Sequence, residues 1–361
     1  MGPSRETRLG VPQSGQGKPY PRGPVLRLLS VARRYPSTNR AEDDPAALGR
    51  RLRERDLSAA PAALNLLELR SDSASDGALA LLSEVSPRAL GGEAPAHVVG
   101  VTGPPGAGKS TLLSALVHVW RGAGRSVAVL AVDPSSKRSG GSLLGDRARI
   151  EHDPGDAGVL IRSTAAAGRL GGLAGPTRAG VQALASAFDL VVVETVGVGQ
   201  SETEVEDVAD TVVVAVQPGS GDTLQFLKAG IMEVPDVLVV TKADAEAAAG
   251  RARRDLEAAL RALGAVGTPV LEVSSIAPVR GIDELALAID AHRAGSNVPD
   301  RRAGGRRRAA LAEFRAEHGE RGLRSVGGRR EAERVLAARD PSDDVPALVG
   351  ALERHAGVSA E

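Results

Sequence analysis

The chain has 361 residues, with 45 Lys plus Arg and 45 Asp plus Glu, so its formal net charge is zero. This balance argues against a nucleic-acid-binding protein that depends on broad electrostatic attraction. The lack of cysteine excludes disulfides, thiolate metal sites and cysteine nucleophiles. Neither a membrane-spanning apolar run nor the apolar core of a signal peptide is visible, so we expect a cytoplasmic protein.

The N-terminal part of the chain changes character near residue 45. Residues 1–45 are rich in Gly, Pro and Arg and lack hydrophobic periodicity, which predicts a disordered segment. The spacing of apolar residues predicts a helical extension over 46–94, with its clearest helical patterns at 56–68 and 76–82. Residues 91–95 contain two glycines and a proline and are typical of a linker.

The middle of the chain, residues 95–295, alternates between strand and helix patterns. The predicted strands are 97–102, 126–132, 158–162, 189–194, 211–216, 236–241 and 269–273. The predicted helices are 109–121, 176–187, 223–231, 246–263 and 281–292. Val-rich and Leu-rich strands that alternate with helices predict an α/β fold with a mostly parallel sheet covered on both faces. Right-handed crossovers then place the loops that carry chemistry at the carboxyl edge of this sheet.

The C-terminal residues 296–361 are helical in pattern and highly charged. They contain too few apolar residues for a separate domain, so we predict an arm that packs on the core or mediates dimerisation. Glycine pairs predict two hinges, at Gly304-Gly305 and Gly327-Gly328. The predicted helices of the arm are 306–317, 329–339 and 344–355.

The most specific motif follows the first predicted strand of the core. It reads Gly103-Pro104-Pro105-Gly106-Ala107-Gly108-Lys109-Ser110-Thr111 and opens an amphipathic helix pattern. The spacing matches G-x-x-x-x-G-K-[ST], the P-loop, in which backbone N–H groups surround a phosphate. Lys109 is predicted to contact the β- and γ-phosphates, and the Ser110 hydroxyl to ligate Mg²⁺. The motif therefore predicts a nucleoside triphosphate site.

Two further motifs predict which base the site selects. Asp244, in Thr241-Lys242-Ala243-Asp244, can accept hydrogen bonds from guanine N1–H and its exocyclic amine, which adenine cannot supply. The stem of Lys242 can cover the base, and Ser274-Ser275-Ile276 can complete the pocket with backbone N–H groups. Helix capping is the alternative for Asp244 and for the serine pair. The order of these motifs after a P-loop favours guanine.

Acidic residues at strand ends are the candidates for binding Mg²⁺. Asp133 and Glu194 end predicted strands, and Asp146 lies in a glycine-containing loop. Because Mg²⁺ takes few carboxylates in addition to water and phosphate oxygens, two or three of these with Ser110 suffice. Each acid, taken alone, is equally typical of a helix N-cap.

Catalysis of phosphoryl transfer depends on positioning and on neutralisation of charge. Lys109 and the Mg²⁺ held through Glu194 would stabilise the developing charge, and Gly197 is predicted to present its N–H to the γ-phosphate. Gln200 is the candidate for positioning water, although it lies three residues beyond Gly197. Arg147 and Lys228 are candidates for additional positive charge in a closed or partner-bound state.

Seven segments, in order, resemble the MeaB/ArgK family of P-loop GTPases, which includes the MMAA-type proteins. The segments are 103–111, 131–136, 139–146, 161–163, 168–174, 193–202 and 221–230. The glutamate in Glu194-Thr195-Val196-Gly197 is a specific mark, since Ras-like proteins have aspartate there. The chain departs from the family pattern at Thr241, where Asn is usual, and at Arg147, Ala148 and Phe226, where Lys, Thr and a small residue are common.

This resemblance implies a SIMIBI-like P-loop GTPase core with helical extensions at both ends. It implies binding of GTP, GDP and Mg²⁺, hydrolysis of GTP, and formation of a homodimer. It also implies a G-protein chaperone that gates cofactor loading and protection of an adenosylcobalamin-dependent acyl-CoA mutase, typically methylmalonyl-CoA mutase. A cobalamin adenosyltransferase is a further candidate partner.

Three alternatives remain open on the sequence. A kinase linked to amino-acid transport would need an acceptor pocket and a base near the γ-phosphate, for which no separate candidate is visible. A metallocentre-maturation GTPase would need Cys or His clusters, which a chain with no Cys and six scattered His does not favour. A scaffold that binds GTP without turnover would differ only in lacking hydrolysis.

Overall fold

A computed structural model describes residues 44–69, 72–133, 150–165, 173, 175–195, 205–219, 235–265 and 267–358. Most of the segment predicted to be disordered and the predicted helix 223–231 lie outside these ranges.

Seven strands form one parallel sheet in the order β3-β2-β4-β1-β5-β6-β7. The strands are β1 (His97–Thr102), β2 (Val127–Asp133), β3 (Val159–Ala165), β4 (Leu190–Thr195), β5 (Thr211–Val216), β6 (Val237–Val240) and β7 (Val270–Glu272). Every residue of β1, β4, β5 and β6 is buried, which explains their unbroken apolar sequences. The predicted parallel α/β fold is confirmed, and the strands differ from the predicted ranges only at their ends.

Helices flank the sheet and continue into both ends of the described chain. They are α1 (Pro45–Arg53), α2 (Ala60–Glu68), α3 (Asp72–Glu84), α4 (Pro87–Leu90), α5 (Lys109–Gly122), α6 (Gly175–Ala185), α7 (Glu246–Ala262), α8 (Ile282–Gly295), α9 (Val298–Ser325), α10 (Arg329–Ala337) and α11 (Val345–Ala356). Short 3₁₀ turns occur at Leu57–Ala59 and Val205–Asp207. Among the described helices, none combines the length and hydropathy that crossing a membrane requires.

Two apolar cores cover the two faces of the sheet. On one face, α5 and α8 contribute residues such as Leu116, Trp120 and Ile289, which pack on the inward side chains of the strands. On the other face, the N-terminal helices α1 to α3 share a core with α6 and α7. Because both faces are covered, the edge at the carboxyl ends of the strands is where loops can meet a ligand.

The predicted hinge at Gly304-Gly305 is wrong. Both residues lie inside α9, and a Cβ on Gly305 would stand 2.0 Å from the backbone oxygen of Asp207. The glycine therefore permits close packing of the helix on the core rather than a bend. The backbone of α9 departs from helical angles at Gly319 instead (φ 62°, ψ −164°). Gly327-Gly328 separates α9 from α10 as predicted.

Two arginines near the start of α9 anchor this helix to the core. Arg302 pairs with Asp210 at 2.6 Å, and Arg301 pairs with Asp236 at 2.7 Å. Asp210 is fully buried and also accepts a hydrogen bond from the backbone N–H of Val98 in β1. Arg302 in addition donates to the backbone oxygens of Ala94 and Ala96. The first turns of α9 are thereby tied to the amino-terminal edge of the sheet.

Replacing Arg302 with alanine should destabilise the fold strongly, because Asp210 would remain buried without its counter-charge. We expect a loss of about 3–5 kcal/mol in the free energy of unfolding, measured by urea denaturation. The matched variant Arg324→Ala, at an exposed position of the same helix, should change it by less than about 0.5 kcal/mol. Equal losses in the two variants would contradict the anchoring role.

The buried ring of His97 is expected to make the stability of the fold depend on pH. Its ring is fully buried, with Nε2 2.8 Å from Thr211 Oγ1. Burial lowers the pKa of His97 to about 4, and the positive charge of Arg293 acts in the same direction, against the opposing charges of Asp210 and Asp290. Since an unfolded histidine has a pKa of about 6.5, folding favours the neutral ring.

The stability that the neutral ring of His97 contributes should be fully present above pH 6.5 and should decrease as the pH falls toward 4. A shift of this size corresponds to a loss of about 3 kcal/mol across that window. Unfolding free energies at pH 7 and pH 4.5 test the effect, and His97→Gln should show a smaller difference between the two pH values. The same difference in wild type and variant would rule out His97 as its source.

Candidate nucleotide-binding site

The turn between β1 and α5 can form only because glycine occupies two of its positions. A Cβ on Gly103 would stand 2.1 Å from the backbone oxygen of Ala215, on the neighbouring strand β5. Gly108, at the N-cap of α5, has a φ of 82°, a left-handed conformation that costs glycine little. The sequence thus folds into a tight loop directly before a helix, with its backbone close to the sheet.

The N-terminus of α5 is arranged to receive an anion. No side chain of the described residues caps this helix, so its first amide groups are available at its positive end. Lys109 is the first residue of the helix and is only 7% exposed. Its Nζ donates hydrogen bonds to the backbone oxygens of Gly103 (2.7 Å) and Pro104 (3.1 Å), which holds the ammonium group over the loop. An ammonium group and helix amides converging on one loop form a phosphate-binding geometry.

Glu194 lies beside this loop, as the sequence predicted for a strand-end carboxylate. It is the penultimate residue of β4, it is buried, and its Oε1 accepts a hydrogen bond from Ser110 Oγ at 2.9 Å. A hydroxyl and a carboxylate in contact supply the hard oxygen ligands that Mg²⁺ prefers. Asp133 ends the adjacent strand β2, but its side chain lies outside the described part of the structure.

The base motif is attached directly to the phosphate loop. The Thr241 hydroxyl donates to the backbone oxygen of Ala107 (2.6 Å) and approaches that of Val216 (3.0 Å). Thr241 therefore links β6, β5 and the P-loop, although the family pattern usually has asparagine at this position. Lys242 has a left-handed backbone (φ 54°), an unfavourable conformation for a non-glycine residue that is typical of functional loops. Its Nζ reaches Gln217 Oε1 at 2.5 Å.

Asp244 is exposed and follows this loop. The capping alternative for Asp244 is not supported, since the N-cap of α7 is Ala245 and no side chain of the described residues caps that helix. The serine pair likewise does not cap α8, which begins after Gly281. Asp244 is therefore left for another role at the carboxyl edge.

The loop after β7 lies next to the base motif, because Ala243 N–H donates to Val273 O at 3.1 Å. Ser274 is buried and donates its hydroxyl to Ile276 O (2.9 Å), so its side chain shapes the turn. The backbone N–H groups of Ser275 and Ile276 donate no hydrogen bond within the described part of the chain, which leaves them for a ligand.

Arg280 is a contributor that the sequence analysis missed. Its guanidinium donates to Ala243 O (3.0 Å) and to Glu246 Oε1 (2.9 Å), which holds the loop after β7 against the base motif. No local motif marks this arginine, since its role depends on the packing of two distant loops.

Five predicted site residues lie outside the described ranges. They are Asp146, Arg147, Gly197, Gln200 and Lys228. The structure brings together Lys109, Ser110 and Glu194 on one side and the Thr241–Asp244 and Ser274–Ile276 loops on the other. The roles of the five residues stay predictions.

Comparison with known proteins identifies the family. The family model described as methylmalonyl Co-A mutase-associated GTPase MeaB matches residues 60–320. The chain belongs to the MeaB family. The resemblance predicted from the sequence is thereby confirmed, and the family is one of GTPases.

Relatives in several organisms match parts of the chain. A Pyrococcus horikoshii protein with the provisional name of a GTPase is 53% identical over 154 residues, 42% of this chain and 49% of the relative. A Caulobacter vibrioides protein with the same provisional name is 43% identical over 256 residues, 69% of this chain and 77% of the relative. The Mus musculus protein named methylmalonic aciduria type A homolog is 45% identical over 149 residues, 41% of this chain and 36% of the relative. The chain thus spans about half the length of the Pyrococcus relative.

Among solved structures, a crystal structure of a protein named LAO/AO transport system kinase resembles the chain. It has a TM-score of 0.59 and 28% identity, and the match covers 88% of this chain and 98% of that one. This similarity agrees with the family assignment and with the parallel sheet described above.

Proposed function

We propose that the chain binds GTP and GDP at the carboxyl edge of its sheet and hydrolyses GTP. The observation that carries this proposal is the hydrogen bond from Thr241 to Ala107, which fixes the base motif to the phosphate loop. Through this bond, Asp244 as the residue that reads guanine would be held in register with the ammonium of Lys109. Membership in the MeaB family supports the same activity.

The residues present fit a magnesium ion. The Ser110 hydroxyl and the Glu194 carboxylate are already in contact at 2.9 Å, and both belong to the class of ligands that Mg²⁺ takes. When bound, Mg²⁺ would supply charge neutralisation on the phosphate oxygens. Asp133 and Asp146 are the proposed further ligands, directly or through water.

The protein groups have separate roles in hydrolysis. Lys109 and the amides at the start of α5 hold the phosphate chain and stabilise the charge that develops on it. Gly197 would donate its N–H to the γ-phosphate. Gln200 would orient the attacking water, and Arg147 and Lys228 would add positive charge in a closed or partner-bound state.

Replacing Glu194 with glutamine should impair the magnesium dependence of hydrolysis more than nucleotide binding. Because the variant removes a charge but keeps the shape of the side chain, we expect kcat at limiting Mg²⁺ to fall about 10- to 100-fold. GDP affinity without Mg²⁺ should change little. Turnover measured across a Mg²⁺ titration tests this, with exposed Glu54→Gln as the control, and an unaltered Mg²⁺ dependence would contradict the assignment.

We further propose that the cellular role is that of a chaperone for an adenosylcobalamin-dependent acyl-CoA mutase, with methylmalonyl-CoA mutase as the first candidate. The description of the family model and the name of the mouse relative support this partner. On this account, GTP binding and hydrolysis gate cofactor loading and protect the mutase. The chain would act as a homodimer in the cytoplasm, with a cobalamin adenosyltransferase as a further partner.

Reconstitution with the mutase of the same cell tests this role. Size-exclusion chromatography with GDP and with a non-hydrolysable GTP analogue should show a complex whose stability depends on the nucleotide. The mutase should also accelerate GTP turnover. Transfer of label from [γ-³²P]GTP to a protein or small acceptor, rather than to inorganic phosphate, would instead favour the kinase alternative. No complex with either nucleotide and no change in turnover would overturn the partner assignment.

A further inference from the structure

A cleft with arginines at its rim lies on the C-terminal arm, away from the nucleotide site. It is a cavity of about 430 Å³ between α9 and the helix α10 that follows it. Its floor is apolar and formed by Leu311, Leu323 and Leu336, which belong to the core of the arm. Its rim carries four arginines and a single acid: Arg307, Arg308, Arg315, Arg329 and Glu333.

Two of the four rim arginines are only weakly neutralised. Arg315 pairs with Glu320 and Arg329 with Glu333, and both side chains of each pair are at least half exposed. Exposed pairs of this kind are weak in water, so a competing carboxylate can displace them. Arg308 pairs with Asp207, whose side chain is only 14% exposed, so this arginine is held more firmly. Arg307 is half-buried and makes no ion pair or hydrogen bond with the part of the chain that the structure describes. The cleft therefore presents cations above an apolar floor.

The spacing of the lining residues on α9 matches the spacing of side chains along one face of a helix. Positions 307, 308, 311, 312 and 315 form one stripe on α9. The eight steps from 307 to 315 rise about 12 Å, which is close to the rise of about 10.5 Å between i and i+7 on an incoming helix. Arginines stand at both ends of this stripe, with Leu311 and Ala312 between them.

We propose that this cleft docks an acidic amphipathic helix of a protein partner. Its apolar side chains would lie on the leucine floor, and glutamates or aspartates at its two ends would pair with the arginines. The interaction uses only the arm, so it goes beyond the GTP site and does not depend on it. Charge complementarity would accelerate association and make binding sensitive to salt.

Fluorescence anisotropy with the full chain tests the proposal. The probe is a labelled synthetic helix with Leu at i, i+4 and i+7 and glutamates at both ends, and its matched control carries lysines in place of the glutamates. We expect the acidic probe to bind and the basic probe not to bind. Arg307→Glu should weaken binding at least tenfold, and so should raising NaCl from 50 to 500 mM. Arg324→Glu makes the same charge change outside the cleft and should have little effect. GTP turnover should be unchanged in both variants, which shows that they fold.

Three results would overturn the proposal. The first is equal binding of the acidic and basic probes. The second is an equal loss of binding in the Arg307 and Arg324 variants, which would indicate bulk charge rather than a site. The third is that neither wild type nor Arg307→Glu binds the acidic probe, while light scattering shows a dimer for wild type and a monomer for the variant. In that case a second copy of the chain occupies the cleft.

Discussion

Replacing Lys109 with alanine is expected to weaken binding of GTP and GDP by at least about 100-fold, the scale of a lost charge-assisted contact in a partly desolvated site. In the structure its ammonium is held over the phosphate loop by the backbone oxygens of Gly103 and Pro104. Within the described ranges, no other lysine or arginine side chain donates a hydrogen bond to that loop. Hydrolysis should fall with binding, because the same charge stabilises the transition state.

Equilibrium binding of a fluorescent GDP analogue measures this effect. The matched control is Arg125→Ala, which removes a cation that pairs with Asp290 beyond the C-terminal end of α5, at the opposite end of this helix from the phosphate loop. Its nucleotide affinity should stay within about twofold of wild type, in keeping with additivity at distant sites. Retained GDP affinity in the Lys109 variant, with the fold intact by circular dichroism, would mean that the phosphate site lies elsewhere.

Replacing Asp244 with asparagine should change which base the site prefers. The amide keeps the size of the side chain but replaces an acceptor oxygen with a donor, which faces the donor groups of guanine. We expect GTP affinity to fall about 10- to 100-fold, as expected when one partner of a hydrogen-bonded charge is lost. Xanthosine triphosphate, which carries an acceptor at the position of the exocyclic amine, should bind the variant better than it binds wild type.

Competition between GTP and xanthosine triphosphate gives the ratio of their two affinities directly. Asp255→Asn, on the exposed side of α7, is the control and should leave the ratio unchanged. If the Asp244 variant prefers GTP over xanthosine triphosphate as strongly as wild type does, Asp244 does not read the base.

Features encoded by neighbouring residues could be predicted from the sequence. The strands of the sheet are continuous Val-rich runs, and the P-loop is a contiguous motif whose glycines are required by a close approach to Ala215 and a left-handed turn at Gly108. The contact between Ser110 and Glu194 was also predictable, because both motifs place their residues at the same edge of a parallel sheet.

Features that depend on packing between distant segments could not be predicted. The pair Gly304-Gly305 resembles a hinge locally, yet Gly305 is needed because α9 passes within contact of the backbone at Asp207. The role of Arg280 depends on two loops meeting in space. Local sequence carries no signal for either contact, since glycine and arginine are common in exposed helices and turns of this chain.

The same limit applies to the arm as a whole. Its charged sequence does not indicate which arginines face the core, whereas in the structure Arg301 and Arg302 pair with Asp236 and Asp210 at the edge of the sheet. Positive charge in this segment therefore has two uses that the sequence does not distinguish. The first arginines anchor the arm, and those from Arg307 onward line the cleft at its surface.

Isothermal titration calorimetry of the full chain with Mg²⁺ measures guanine-nucleotide binding at the P-loop site. We expect heat from binding of GDP and GTP at one site per chain. ADP and ATP should bind at least about 100-fold more weakly, because adenine offers no N–H donors at the positions that Asp244 would face. No heat with either guanine nucleotide, or equal affinity for adenine nucleotides, would contradict the assignment of a guanine-nucleotide site.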